Sequence, residues 1–112
     1  MANDLPAPPA LAPVSDAVAL MHALGQPIGW NALRLLASAR PQSVNDVAAA
    51  VNCAQVSASR HLDALRKAGA VIAVTPPDGD TRKQFYAIPP ERLREVPGGK
   101  EIDYGPCVLK FS

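Results

Sequence analysis

The sequence predicts a mainly α chain with a β-hairpin, an α+β fold, and three observations carry that prediction. Apolar residues recur at helical spacing in four successive stretches between Val18 and Ala68. After Gly69 the period shortens, and "AVIAVT" and "RKQFYAI" are β-prone runs. The turn cluster "PPDGDT" lies between them, so the two runs pair as a hairpin with a fairly long tip.

The first helix is expected to use Ser15 as its N-cap and Val18, Met21 and Leu24 as its apolar stripe, with Gly25 and Pro27 stopping it. "IGWNALRLLASA" gives a second helix with the stripe Trp30, Leu33, Leu36 and Ala37; Arg34 faces away and Pro41 ends it. The third helix has the clearest start. Ser43 stands three residues before Asp46, the spacing at which a hydroxyl and a carboxylate reciprocally satisfy two orphan backbone N–H groups. Val44, Val47, Ala48 and Val51 form its stripe, and Asn52, which tolerates the left-handed conformation, closes it. In the fourth helix Ala58, Leu62, Leu65 and Ala68 make one inward face, with Gly69 as the C-cap. Ala54, at the N-cap position, offers no side-chain acceptor, a deficit of about 1 kcal/mol. Beyond the hairpin, "PPERLREV" has room for about two helical turns. "EIDYGPCVLKF" reads as extended, interrupted at Gly105 and Pro106.

At 112 residues the chain makes one domain. Residues 1–14, Pro- and Ala-rich without periodicity, read as a disordered arm; residues 15–90 form the compact domain; residues 91–112 are a C-terminal tail and a candidate dimerisation segment. A compact part of roughly 75–80 residues buries only about 60% of its unfolded surface, which favours a partner subunit. No apolar run approaches the roughly 20 residues that span a bilayer. Asp4 stands where a signal peptide would carry basic residues. The expected location is the cytoplasm, with no membrane partner and with Cys53 and Cys107 as reduced thiols. There is no Ser/His/Asp set, no phosphate-binding glycine loop and no pair of carboxylates on one element, so no enzymatic role is expected.

Net charge is only +1, but its distribution is uneven. Arg60, Arg66 and Lys67 lie on the fourth helix against Asp63 alone, and Arg82 and Lys83 follow in the hairpin. Two short helices joined by a tight turn and followed by a hairpin form a helix-turn-helix with a wing. The fourth helix carries small hydroxyls on its polar side, where Glu and Lys are usual. A helix entering the major groove lies close to base edges, and bulky leading residues would hold it off. Gln55, Ser57, Ser59 and Arg60 are therefore the candidate base-reading residues, with Gln suited to adenine and Arg to guanine. His61, Arg66, Lys67, Arg82 and Lys83 are the candidate phosphate contacts, which position a protein without reading sequence.

"SVNDVAAAVNCAQVSASRHLDALRKAGAV" resembles the helix-turn-helix of the ArsR-type winged-helix transcriptional regulators, and "LGQPIGWNALRLL" is similar to that family's Pro-containing entry into its second helix. The resemblance covers roughly residues 17–88 and is most specific at "SRHL" and "LRKAGAV". It implies a homodimeric, sequence-specific DNA-binding repressor of bacterial type, often released by a metal ion or another signal, with DNA contacts at Gln55, Ser57, Ser59, Arg60 and the wing around Arg82. The sequence departs from the pattern in several places. "VNDVAAAV" lacks the family's Cys-containing metal motif, Gly29 stands where a basic residue is common, and Ala54 replaces the usual capping hydroxyl. In addition, "PPERLREVPGGKEIDYGPCVLKF" replaces the long C-terminal helix of the dimer interface.

Blander roles compete at several positions. His61 can bond a phosphate or a backbone group rather than a metal. Cys53 fits as a small core hydrophobe, and Cys107 has no basic neighbour closer than Lys110 to activate it, so no cofactor, metal or thiol trigger is expected. Trp30 fits as a core anchor. The apolar tail either packs on its own domain or pairs with its twin across a two-fold axis, with Val18, Met21, Tyr104, Leu109 and Phe111 as candidate dimer contacts. The expected partners are double-stranded DNA and a second copy of the chain, the effector being open. The rival class is a winged-helix protein-interaction module that does not use DNA; a third reading keeps DNA binding and adds a thiol or metal trigger.

Overall fold

The structure is a computed structural model that describes residues 16–38, 40–76, 78–79 and 84–111. Helix α1 (Ala17–Leu24) is capped by Asp16, whose carboxylate accepts from the Ala19 amide at 3.0 Å. The expected cap, Ser15, lies outside the described residues. Gly25 closes α1, and Pro27 opens α2 (Pro27–Ser38) rather than merely ending its predecessor. A proline at the first helical position loses no hydrogen bond. The expected α1 stripe holds at Leu24 but not at Val18 and Met21. Leu20, Ala23 and Leu24 point inward, while Val18 and Met21 are 79% and 46% exposed.

Helix α3 (Val44–Val51) begins with the capping box as predicted. Ser43 Oγ accepts from Asp46 N, and Asp46 Oδ2 accepts from Ser43 N, each at 3.1 Å. Asn52 closes it at φ 58°, ψ 57°. Helix α4 (Gln55–Lys67) starts from Ala54 without a side-chain cap and buries Ala58, Leu62 and Leu65 completely.

The wing is the antiparallel pair β2 (Ile72–Val74) and β3 (Phe85–Ala87), with Ala73 opposite Tyr86. A two-residue strand β1 (Gln42–Ser43), which local pattern does not announce, joins the far edge of β3 and gives the order β1-β3-β2. Ser43 thus ends a strand and caps a helix at once.

The C-terminal segment differs from the sequence expectation. "PPERLREV" forms a single 3-10 turn, Pro90–Arg92, and then a strand β4 (Leu93–Val96), which pairs with β5 (Gly99–Asp103) and through it with β6 (Val108–Phe111). The partners explain the outcome. Leu93 sits opposite Ile102, and Arg94 sits opposite Glu101 with a 2.6 Å ion pair, cross-strand contacts that a short exposed helix could not supply. One core joins these parts: Leu20, Leu33, Leu36, Val47, Leu62, Leu65 and Val71 pack with Ile102 and Tyr104 from the last sheet.

Candidate nucleic-acid interface

Helices α3 and α4 are joined by a turn whose geometry comes from Asn52 and Cys53, both donating to the carbonyl of Ala48, the latter at 3.0 Å. The left-handed Asn52 reverses the chain, so α4 leaves the turn with Ala58, Leu62 and Leu65 inward. Cys53 is half-buried against the core.

The opposite face of α4 carries Gln55, Val56, Ser59 and Arg60, all exposed. Ser57 is half-buried at its flank. No carboxylate pairs with Arg60 among the described residues. Sequence reasoning gave Val56 no role. Val56 is 69% exposed at the leading turn, an apolar side chain left in water among polar ones.

His61 is half-buried, and its Nδ1 donates to the carbonyl oxygen of Ser57 at 2.8 Å. The ring is thereby fixed with Nε2 as the nitrogen left for an outside partner. Arg66 and Lys67, predicted as phosphate contacts, converge on one carboxylate: Asp63 receives Arg66 at 2.8 Å and Lys67 at 3.0 Å. Hydrogen bonds first from Arg66 and then from Lys67 hold the Asp63 carboxyl below the usual carboxylate range. These pairs lie in solvent, so a phosphate can displace the carboxylate at little cost. Both cations also sit in the last turn of α4, where the helix dipole favours them.

In the wing, the Tyr86 hydroxyl donates to Gln84 Oε1 at 2.9 Å, and burial raises its pKa. Arg82 and Lys83 lie outside the described residues. Of the candidate dimer contacts, Val18 and Met21 are exposed on α1, and Leu109 and Phe111 are half-buried against the core. Tyr104 is a correction. It is fully buried in its own chain, with its hydroxyl bonded to the Ala70 carbonyl, and has no surface to offer a twin. Trp30 is half-buried and meets Phe111 with ring centroids 5.3 Å apart. Cys107 is half-buried in the tail, where burial and then Asp103 push its thiol pKa up, away from the reactive thiolate. Among the described residues no helix is long and apolar enough to cross a membrane.

Residues 31–73, which run from α2 through the turn and α4 to the wing, match the family model for bacterial regulatory proteins of the arsR family. This segment is similar to the helix-turn-helix of that family. Solved structures carry the likeness further. One is the homodimeric winged helix-turn-helix DNA-binding domain of a possible ArsR-family transcriptional regulator from Mycobacterium bovis, 28% identical at a TM-score of 0.55, over 64% of this chain and 62% of that one. Another is NadR in complex with 4-hydroxyphenylacetate, 29% identical at a TM-score of 0.54, over 65% of this chain and 51% of that one. The chain thus spans less than two thirds of either relative. No curated protein matches it significantly. The fold is the α+β winged helix-turn-helix, the architecture of the DNA-binding domain from Mycobacterium bovis that the chain resembles.

Proposed function

We propose that the protein is a homodimeric, sequence-specific DNA-binding repressor that sets α4 of each protomer into successive major grooves of a two-fold symmetric operator, about 34 Å apart. The observation that carries the reading is the open face of α4. Gln55, Val56, Ser59 and Arg60 are exposed together on a helix whose other side is locked into the core. Arg60 pairs with guanine O6 and N7, Gln55 with adenine, and Ser57 and Ser59 supply short hydroxyls. Val56 contacts a thymine methyl, the apolar group that the major groove displays. Arg66 and Lys67 and the wing residues Arg82 and Lys83 hold phosphates, joined by Nε2 of His61 when the ring carries a proton on both nitrogens. The exposed pair Val18 and Met21 on α1 forms part of the dimer seam, in keeping with the homodimeric state of the Mycobacterium bovis domain. The reading needs no metal or cofactor and places the protein in the cytoplasm with its DNA.

Selection of binding sites from random duplex DNA at about 50 mM and about 200 mM salt tests it. The expected result is an enriched motif with two-fold symmetry, and affinity that falls steeply with salt. Recovery of no motif at either concentration would instead favour a winged-helix protein-interaction module.

A further inference from the structure

A cavity of about 650 Å³ opens between the C-terminal half of α2, the end of α3 and the last sheet. Its volume lies within the roughly 300–1,000 Å³ of small-molecule sites. Leu35, Val51 and Phe111 line it with apolar surface, and each is half-buried, so part of that surface faces the cavity and not the core. Two cations share the lining. Arg34 has no carboxylate partner among the described residues, and the Nζ of Lys100 stands 4.0 Å from its nearest carboxylate oxygen, on Glu95. The amide of Asn52 adds donors and an acceptor at the rim.

An apolar wall beside Arg34, which has no carboxylate partner among the described residues, and Lys100, only loosely paired with Glu95, suits one class of ligand, a small organic acid. The body covers Leu35, Val51 and Phe111, and the carboxylate meets the guanidinium of Arg34, which can bind it bidentately, and the ammonium of Lys100. The place is as informative as the chemistry. Ala50, Val51 and Asn52 are the last turn and the left-handed cap of α3, and α4 begins three residues beyond Asn52. An occupant therefore touches the turn that aims the reading helix. We propose that this cavity is an effector site for a small carboxylate with an apolar body, and that its occupation changes how α4 meets DNA. Binding in the cavity stands by itself; its coupling to DNA rests on the proposed function.

The chain has one tryptophan, and Trp30 lies tilted against the cavity-lining Phe111 with ring centroids 5.3 Å apart, so its fluorescence reports occupation. The full chain is titrated with benzoate, cinnamate and hexanoate, each beside its neutral amide, and the contacts are mapped by amide chemical shifts. At least one acid is expected to bind about tenfold more tightly than its amide, with shifts at Arg34, Leu35, Asn52 and Lys100. Arg34→Ala combined with Lys100→Ala should abolish that preference while leaving the fold intact by circular dichroism. Lys100→Arg should retain it. Equal binding of acids and amides, shifts elsewhere, an unaffected double variant, or no binding by any of the three acids would overturn the site. An acid that binds here yet changes operator affinity by less than about fivefold would overturn the coupling alone. Failure to select any operator would leave the titration result standing and count against the DNA reading instead.

Discussion

The hydroxyl of Tyr104 donates a 2.9 Å hydrogen bond to the carbonyl oxygen of Ala70, 34 residues earlier. Ala70 follows the end of α4, and Tyr104 directly follows the central strand of the last sheet, so the bond ties the C-terminal segment to the base of the reading helix. The phenol is fully buried, and the Arg92 guanidinium lies 5.9 Å from the ring centre. Tyr104→Phe keeps the ring and deprives the carbonyl of its donor, which should cost about 1–2 kcal/mol. In a domain of this size that lowers Tm by roughly 4–8 °C per kcal/mol in thermal unfolding.

The same phenol sets a pH dependence. Burial pushes its pKa far above the ordinary tyrosine value of 10.0. A group raised in the folded state contributes stability that is complete below its unfolded pKa and is lost as pH rises beyond it. The Tyr104 contribution should therefore be constant through neutral pH and decline above about pH 10. Denaturant titrations of the parent and Tyr104→Phe should diverge in slope only on the alkaline side.

Gly29 is buried in α2, and a Cβ there would collide with the carbonyl of Ala23 in α1. Alanine is the better helix former by about 1 kcal/mol. The clash is with backbone, which cannot rotate aside, and overpacking of this kind costs about 1–3 kcal/mol. Gly29→Ala should therefore lower the denaturation midpoint despite its helix propensity; a raised midpoint would show that α1 yields freely.

Ala54 holds the N-cap position of α4 at φ −67°, ψ 149°, a conformation open to serine, and is exposed. Ala54→Ser should add the missing acceptor and stabilise the protein by about 0.5–1 kcal/mol in urea unfolding. No gain in stability would mean that water already caps the α4 amides as well as a hydroxyl would.

Asp63 competes with DNA for Arg66 and Lys67. Asp63→Asn should release both cations, tighten binding to non-specific duplex several-fold at low salt and steepen the salt dependence. The carboxyl pKa is depressed in the folded state, so the ion pairs support the fold at neutral pH and lose that role as pH falls through the depressed value. Anisotropy with a random-sequence duplex checks the first point; an unchanged salt slope would place Arg66 and Lys67 away from the phosphates.

The parts of the fold that local chemistry determines were legible. Ser43 and Asp46 spell their capping box within four residues, and the α4 stripe needs only its own spacing. What depends on distant partners was not. Leu93–Val96 is a strand because Ile102 and Glu101 lie across from it, and Gln42–Ser43 because β3 has a free edge. The α1 stripe was misread at Val18 because Val18 and Leu20 are equally apolar, and only packing chooses between them. At the site, the order of Gln55, Ser59 and Arg60 along α4 could be read directly. The diversion of Arg66 and Lys67 to Asp63, and the stranding of Val56 in solvent, required coordinates.

The reading face of α4 is tested most directly by binding a selected duplex to single substitutions. Arg60→Ala should weaken the selected site by about 1–3 kcal/mol and relax preference at one guanine. Val56→Ala should remove the penalty for replacing one thymine by deoxyuridine, which lacks only the methyl. If both variants bind the selected duplex and its altered forms as the parent does, α4 is not the element that reads DNA.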